Sequence, residues 1–185
     1  MQAVDVGSRP DGDVSRQESI AAFRDVHGRH LHGFALLLTL GDRRAAASLA
    51  AGALADAALQ LDELRHPERA AAWLRANVVR QARHGRFAPS STGMAALEAL
   101  DVPRPAAQAL SQLGLVERAA LITTVMERLD RRDVAAVVGR DGDRLERLLV
   151  NARRRYASAY ETAGGTKIDG PLTRRIQAVA DRAMA

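Results

Sequence analysis

Apolar residues recur at helical spacing along most of the chain. A first stripe starts near Arg16, and its members follow one another at steps of three and four residues. They are Ile20, Phe23, His27, Leu31, Phe34 and Leu38. Such steps place side chains on one side of a helix, so we predict a long amphipathic first helix. The pair Gly41-Asp42 predicts the end of this helix and the start of a second one.

The second helix is built from small residues, and a proline separates it from a third. Segment 43–64 is rich in alanine, with leucine as its larger apolar residue. Pro67 disfavours helix at the residue before it and suits a first helical turn, so a third helix is predicted from Pro67 to about Arg86. Residues 87–106 then mix glycine, proline and serine around one short helical piece at 94–100, a composition that favours a linker.

Segment 131–150 has the pattern of a helix-turn-helix. Gly139 is able to take the positive φ that a tight turn between two helices needs. Apolar residues on both sides of the glycine, Val134 and Leu145 among them, are predicted to face the interior. Asp143 is predicted to cap the second helix, with Glu146 completing a capping box.

The outward face of that second helix is basic. Its predicted inward positions are Leu145, Leu148, Leu149 and Ala152. Its outward positions are Arg144, Arg147, Asn151 and Arg154, and Arg140 stands just after the glycine. Such side chains can meet base edges or phosphates. Residues 127–155 hold nine arginines and six acids, so we expect salt-sensitive but modest DNA affinity. The alternative is a helical hairpin whose arginines are only solvated.

The two ends of the chain differ from the middle. Residues 1–15 are polar and contain glycine and proline, so they are predicted to be a disordered lead. Segment 161–170 predicts a loop, and Pro171 suits the start of a last helix. The apolar stripe of that helix is Leu172, Ile176, Val179 and Ala183. The patterns together predict an all-α protein with two small helical domains at 16–86 and 107–160, the linker at 87–106, and a loop and C-terminal helix at 161–185.

Composition agrees with a helical protein and indicates an anionic partner. Hydrophobic residues make up 47% of the chain and aromatic residues only 3%, and the alanine and leucine that dominate the apolar set favour helix. The net charge is +5, and Lys167 is the only lysine among 27 basic residues. A basic balance favours nucleic acid over a membrane surface.

Cysteine content and hydropathy indicate the compartment. The chain has no cysteine, which excludes disulfide scaffolds and thiolate chemistry and fits a reducing cytoplasm. The polar N-terminus lacks the apolar core of a signal peptide. The most apolar run, residues 34–40, is shorter than the roughly 20 residues that span a bilayer. We therefore expect a cytoplasmic protein with no membrane partner.

No pattern of catalytic or cofactor-binding residues stands out. His27 and His30 are three residues apart, but no cysteine or paired acid completes a metal site. The sequence GRDGD at 139–143 lacks the spacing of a calcium loop, and neither a P-loop nor a dinucleotide fingerprint occurs. We expect no catalysis, no cofactor and no bound metal ion.

The segment LGLVERAALITTVMERLDRRDVAAVVGRDGDRLERLLVNARRRY, residues 113–156, carries a further pattern. Its landmarks are Leu113, Arg118, Leu129, Val134, Ala135, Gly139, Leu148 and Ala152-Arg153-Arg154-Arg155. They resemble the C-terminal DNA-binding domain of bacterial sigma-70 family factors, especially the extracytoplasmic-function (ECF) type. In that family an L-P-x-x-x-R start leads into an apolar helix, a helix-turn-helix and a basic R-A-R-R run.

The first half carries landmarks of the first domain of the same family. They are Phe23, His30-Leu31, Phe34-Ala35, Leu38, Gly41-Asp42, Ala46, Leu49 and Ala72-Trp73-Leu74. The resemblance covers about residues 20–158 and places two domains in the family's order. It therefore rests on the arrangement of the whole chain rather than on one motif.

The resemblance implies partners and site residues. Sigma factors bind core RNA polymerase and direct it to promoters, so promoter DNA and core polymerase are the implied partners, with an anti-sigma factor as a further candidate. Arg144, Arg147 and Asn151 are implied to read the −35 element, and Arg140 and Arg154 complete this −35-like set. The third helix is implied to face the −10 element with Trp73, Arg75, Arg80 and Arg83.

The second helix departs from the family pattern. Ser48, Ala51, Gly52 and Ala58 replace the polar and aromatic residues usual in the polymerase-binding helix. Glu146 also stands where the family's recognition helix usually has lysine. Three hypotheses follow: a sigma-like transcription initiation factor, a sigma-derived DNA-binding regulator that no longer binds core polymerase, and a helical protein-interaction module.

Overall fold

The computed structural model describes residues 10–61, 63–64 and 66–165, and in this part of the chain the backbone forms eight helices and no strand. They are α1 (Pro10–Leu38), α2 (Arg43–Ala58), α3 (Pro67–Ala82), α4 (Ser91–Glu98), α5 (Arg104–Ser111), α6 (Leu115–Val125), α7 (Arg131–Val138) and α8 (Gly142–Thr162). The all-α prediction is confirmed for these residues. The predicted C-terminal helix and the first nine residues of the predicted lead lie outside the described residues.

Helix α1 begins earlier than the apolar stripe indicates. The predicted start is near Arg16, whereas α1 starts at Pro10. The disorder of residues 1–15 stays a prediction. Proline is preorganised for a first helical position. The apolar stripe marks where the helix starts to pack, not where it starts.

The corner between α1 and α2 lies at the predicted Gly41-Asp42 pair. Gly41 has φ +84°, and the Asp42 side chain accepts a hydrogen bond from Ala45 N at 2.9 Å. The buried Thr39 hydroxyl, just after the last residue of α1, donates to Ala35 O at 2.8 Å. A Cβ on Gly41 would overlap the backbone of Gly93, whose Cα would lie 2.8 Å away. Glycine is therefore required here by both conformation and close approach.

Helix α2 packs through alanine. Its buried residues are Ala46, Ala50, Ala53 and Ala57. Their spacing keeps them on one side of the helix, and their small side chains let α1 and α3 approach closely. The alanine content of this segment thus serves packing as well as helix propensity.

The segment predicted to be a linker is packed into the core. It contains α4 and the start of α5, and Leu97 and Val102 are 0% and 2% exposed. Its serine and proline residues belong to helix ends: Ser90 accepts from Gly93 N at 3.0 Å, and Pro105 occupies the first turn of α5. These residues terminate helices as readily as they loosen a chain, which explains why composition alone favoured a linker.

The two halves of the chain share one cluster of buried side chains, which extends from Leu31 to Tyr156. Helix α3 packs against α7, and α1 packs against α6. Shared packing does not test whether each half folds by itself, so the boundary between two domains stays a prediction.

Arg118 in α6 links three segments from inside this core. The residue is 4% exposed. Its guanidinium donates to Leu110 O at 3.1 Å, to Leu113 O at 3.0 Å and to Leu38 O at the end of α1. Burial lowers the pKa of Arg118 to about 10. Leu110 O also accepts from Leu113 N at 3.1 Å, so Arg118 is a second donor there, and its other two contacts join the end of α1 to the segment after α5.

Candidate nucleic-acid interface

The turn between α7 and α8 has the conformation that the sequence predicts. Gly139 ends α7 with φ +66°, and its N–H donates to Ala135 O at 2.9 Å. Arg140 N donates to the same carbonyl at 3.2 Å. A left-handed residue at this position is energetically cheap only for glycine. The expected conformation of Gly139 is confirmed, whereas the reading of DNA by this helix pair stays a prediction.

The start of α8 differs from the predicted capping box. Its N-cap is Asp141, whose side chain makes no capping hydrogen bond, and α8 begins at Gly142. Asp143 is therefore already helical, and the prediction that it caps the helix is wrong. Glu146 forms an ion pair with Arg131 of α7 instead. The cross-helix partner offers this carboxylate a full positive charge, which a backbone N–H does not.

The two faces of α8 follow the predicted division. Leu145, Leu149 and Ala152 are buried, and Leu148 is half-buried. The predicted outward residues are all exposed, and they are Arg144, Arg147, Asn151 and Arg154. Arg140, in the turn before α8, is exposed as well. The outer side of α8 from Arg144 to Arg154, called here the basic face of α8, is therefore exposed among the described residues.

The end of α3 lies beside the turn between α7 and α8. The Arg83 guanidinium donates to Val138 O at 3.4 Å, one residue before Gly139. Arg80, one turn earlier, is exposed and donates to Asn77 Oδ1 at 2.9 Å. The sequence assigned Arg80 and Arg83 to one DNA element and Arg140 to another. In this structure Arg83 and Arg140 lie beside the same turn, so the two groups are neighbours.

Arg75 lies in the interior rather than on the predicted surface. The residue is 6% exposed and forms an ion pair with Glu127, at the end of α6. Its guanidinium also donates to Ala71 O at 2.9 Å and lies 5.9 Å from the centroid of the Phe34 ring. Burial lowers the pKa of Arg75 to about 10. In this conformation Arg75 contacts the other half of the chain and is closed to DNA.

Trp73 is half-buried and packs against the hydrophobic cluster. Large aromatic side chains stabilise a fold chiefly through the apolar area that they bury. The indole therefore belongs mainly to the core, and its predicted contact with the −10 element stays a prediction.

Sequence patterns missed a polar network between α2 and α3. Asn77 is 1% exposed and donates to Asp56 Oδ2 at 2.9 Å. Gln81 donates to the same oxygen at 3.3 Å and to Asn77 Oδ1 at 3.0 Å. The available signal was the placement of Asn77 and Gln81 on the apolar side of α3, because polar residues at buried positions require partners.

Beyond the exposed Arg43 and Arg44 at its start, the exposed face of α2 carries few functional groups. Its exposed residues between positions 47 and 55 are Ala47, Ser48, Ala51 and Ala55. Asp56 is the only acid of α2, and its carboxylate is bound by Asn77 and Gln81. The departure of this helix from the sigma-factor pattern is therefore also a feature of its accessible surface.

His27 of α1 contacts an aromatic neighbour of its own helix. The ring centroids of His27 and Phe23 are 4.5 Å apart. The pKa of His27 is lowered, chiefly by burial and then by the charges of Arg75 and His30. Within residues 10–61, 63–64 and 66–165, no cluster of three or more histidine, cysteine or acidic side chains suits a metal ion. No helix in that part is long and apolar enough to cross a bilayer.

No family model, curated protein or solved structure matches the chain. The candidate site therefore rests on its own geometry and on the resemblance carried by the sequence landmarks.

Proposed function

We propose that this protein is a sigma-like transcription initiation factor that binds promoter DNA and directs core RNA polymerase to it. The observation that carries the proposal is the basic face of α8, where Arg144, Arg147 and Asn151 are exposed on a helix whose opposite side is buried. The B-DNA major groove admits one α-helix, so one rigid helix with outward polar side chains suits it.

The chemistry of these side chains fits base reading. Arginine donates two hydrogen bonds to guanine, and asparagine pairs in the same way with adenine. Arg140, in the turn before α8, is exposed, and we assign it to a phosphate contact that fixes the helix on the duplex. Glu146 opposes DNA less than its charge indicates, because Arg131 neutralises it.

Binding of two promoter elements at once requires the halves to separate. Elements centred 25 base pairs apart lie about 85 Å apart on B-DNA at 3.4 Å per base pair. Arg83, of the −10-like group, instead contacts Val138, beside the −35-like group. The proposal thus assigns this structure to a closed form, in which α3 and α7 are packed together. Opening breaks the Arg75–Glu127 ion pair.

DNA binding is tested by selection from random duplexes, followed by affinity measurements on the enriched sequence. Arg147→Ala is expected to weaken the free energy of DNA binding by about 1–3 kcal/mol and to relax the sequence preference at one base position, as loss of a bidentate contact does. Arg153→Ala is the matched control, because it removes the same charge from an exposed position of α8 outside the predicted outward set. Equal losses from both variants would reduce the interaction to general charge attraction. Failure to bind any duplex at low salt would overturn the proposal.

A second candidate is a DNA-binding regulator that does not bind core polymerase. The observation that favours it is the surface of α2, where alanine and serine stand in place of polymerase-binding side chains. Capture of core polymerase by the tagged protein separates the two candidates. Specific DNA binding without polymerase capture selects the regulator, whereas capture of polymerase selects the initiation factor.

A further inference from the structure

A groove of about 900 Å³ lies between α4, α5 and the end of α8. Four of its lining residues are apolar, Pro89, Met94, Ala159 and Ala163. The other seven are polar, among them Arg154, which the groove shares with the basic face of α8. This volume falls in the range of roughly 300–1,000 Å³ that is typical of sites that hold a ligand. The groove does not overlap the turn between α7 and α8.

Helix α8 ends beside this groove. Helix α8 ends at Thr162, and Gly164 has φ +82°. Gly165 N then donates to Tyr160 O at 3.0 Å, which completes a glycine-terminated helix end. Ala163 lines the groove, so the residues that follow Gly165 start beside it.

The segment that follows matches the groove in pattern and length. Pro171 begins a sequence whose apolar stripe is Leu172, Ile176, Val179 and Ala183. As a helix, this stripe is about 16 Å long at 1.5 Å per residue. The α8 residues that line the groove run from Arg154 to Ala163, about 14 Å by the same rise. The connecting segment 166–170 spans up to about 17 Å, which is enough to place the helix start beside Ala163.

We propose that residues 171–185 form an amphipathic helix that packs antiparallel to α8 in this groove. The apolar stripe contacts Ala159, Ala163 and Met94, and the arginines at 174, 175 and 182 stay in solvent. The short covalent connection gives this segment a high effective concentration at the groove, which disfavours a separate partner. The inference goes beyond the proposed function and does not depend on it, because it concerns a contact within the chain.

The absence of cysteine makes a thiol-protection test direct. Ser158 is exposed and lines the groove, so Ser158→Cys introduces one reporter thiol into the full chain. Its reaction rate with iodoacetamide is measured alone and combined with Ile176→Asp or Gln177→Asp. Ile176→Asp breaks the stripe, whereas Gln177→Asp adds the same charge outside it. We expect about tenfold faster labelling with Ile176→Asp, as for a segment docked about 90% of the time, and an unchanged rate with Gln177→Asp.

Three results would overturn the proposal. They are equal rates in all backgrounds, equal acceleration by both aspartate variants, and protection that increases with protein concentration, which would assign the groove to a second copy. A second measurement does not need the Ile176 variant to fold. The pair Ser158→Cys/Arg175→Cys joins positions at about the same distance from the turn, beside the apolar stripe, and is expected to form an intramolecular disulfide under mild oxidation. The pair Asp143→Cys/Arg175→Cys, with its first thiol at the far end of α8, is expected not to form one. Equal yields from the two pairs would contradict the docked position.

Discussion

The ion pair between Arg75 and Glu127 gives the sharpest prediction about how the halves are held together. Arg75→Met and Glu127→Leu each remove one partner and leave the other charge enclosed. The two side chains are 7% and 6% exposed, so little solvent is available to the remaining charge. The double variant removes both charges and leaves apolar side chains that fill a similar space.

The magnitude follows from that burial. Loss of one partner of a buried pair costs about 3–5 kcal/mol, whereas replacement of both by apolar residues is often neutral. We therefore expect each single variant to lose about 3–5 kcal/mol of unfolding free energy and the double variant to lose at most about 2 kcal/mol. That limit allows for the lost contacts of Arg75 with Ala71 and Phe34. The non-additivity is then about 4 kcal/mol or more.

Urea unfolding followed by far-UV circular dichroism measures all four proteins. Because burial lowers the pKa of Arg75 only to about 10, the arginine is charged at neutral pH. Losses under about 1 kcal/mol that add in the double variant would refute the reasoning. They would mean that the pair is solvated and that it does not hold α3 against the end of α6.

Three further predictions concern the core and α1. Gly41→Ala should cost about 2 kcal/mol or more, since it combines a positive φ with overlap on Gly93. Gly33→Ala, inside α1 with no neighbour within 4 Å, should instead raise the free energy of unfolding by about 0.5–1 kcal/mol. Equal urea midpoints for the two variants would contradict this account. Arg118→Met should lower the free energy of unfolding by about 2–4 kcal/mol, because Leu38 O and Leu113 O lose the Arg118 donor. A loss under about 1 kcal/mol would show that water replaces the guanidinium. The lowered pKa of His27 means that the folded protein favours the neutral imidazole. The stability that His27 contributes is therefore complete above about pH 6.5 and is lost as the pH falls through its folded pKa. The melting temperature of His27→Gln should fall less on acidification than that of the parent protein, and an identical fall would contradict this prediction.

Helices with one buried stripe were predictable from the sequence. In α8, Leu145, Leu149 and Ala152 recur at helical spacing, so the exposed positions follow directly, and Gly139 marks the turn. Periodicity is a local property, and it succeeds where a helix meets the core along one side.

The missed features depend on residues far apart in the chain. An arginine in a helix is usually solvated, and only the arrival of Glu127 and Phe34 makes the burial of Arg75 favourable. Serine and proline are common both in flexible linkers and at the ends of packed helices, so the composition of residues 87–106 does not separate the two cases. The contact between Arg83 and Val138 likewise depends on the packing of α3 against α7, which no local pattern encodes.

The most direct test of the central claim is run-off transcription with core RNA polymerase and fragmented genomic DNA from the source organism. The account predicts transcripts that start at defined sites only when the protein is added, and that are strongly reduced by Arg147→Ala but retained with Arg153→Ala. No protein-dependent transcript, together with no capture of core polymerase, would contradict the proposal that this chain initiates transcription.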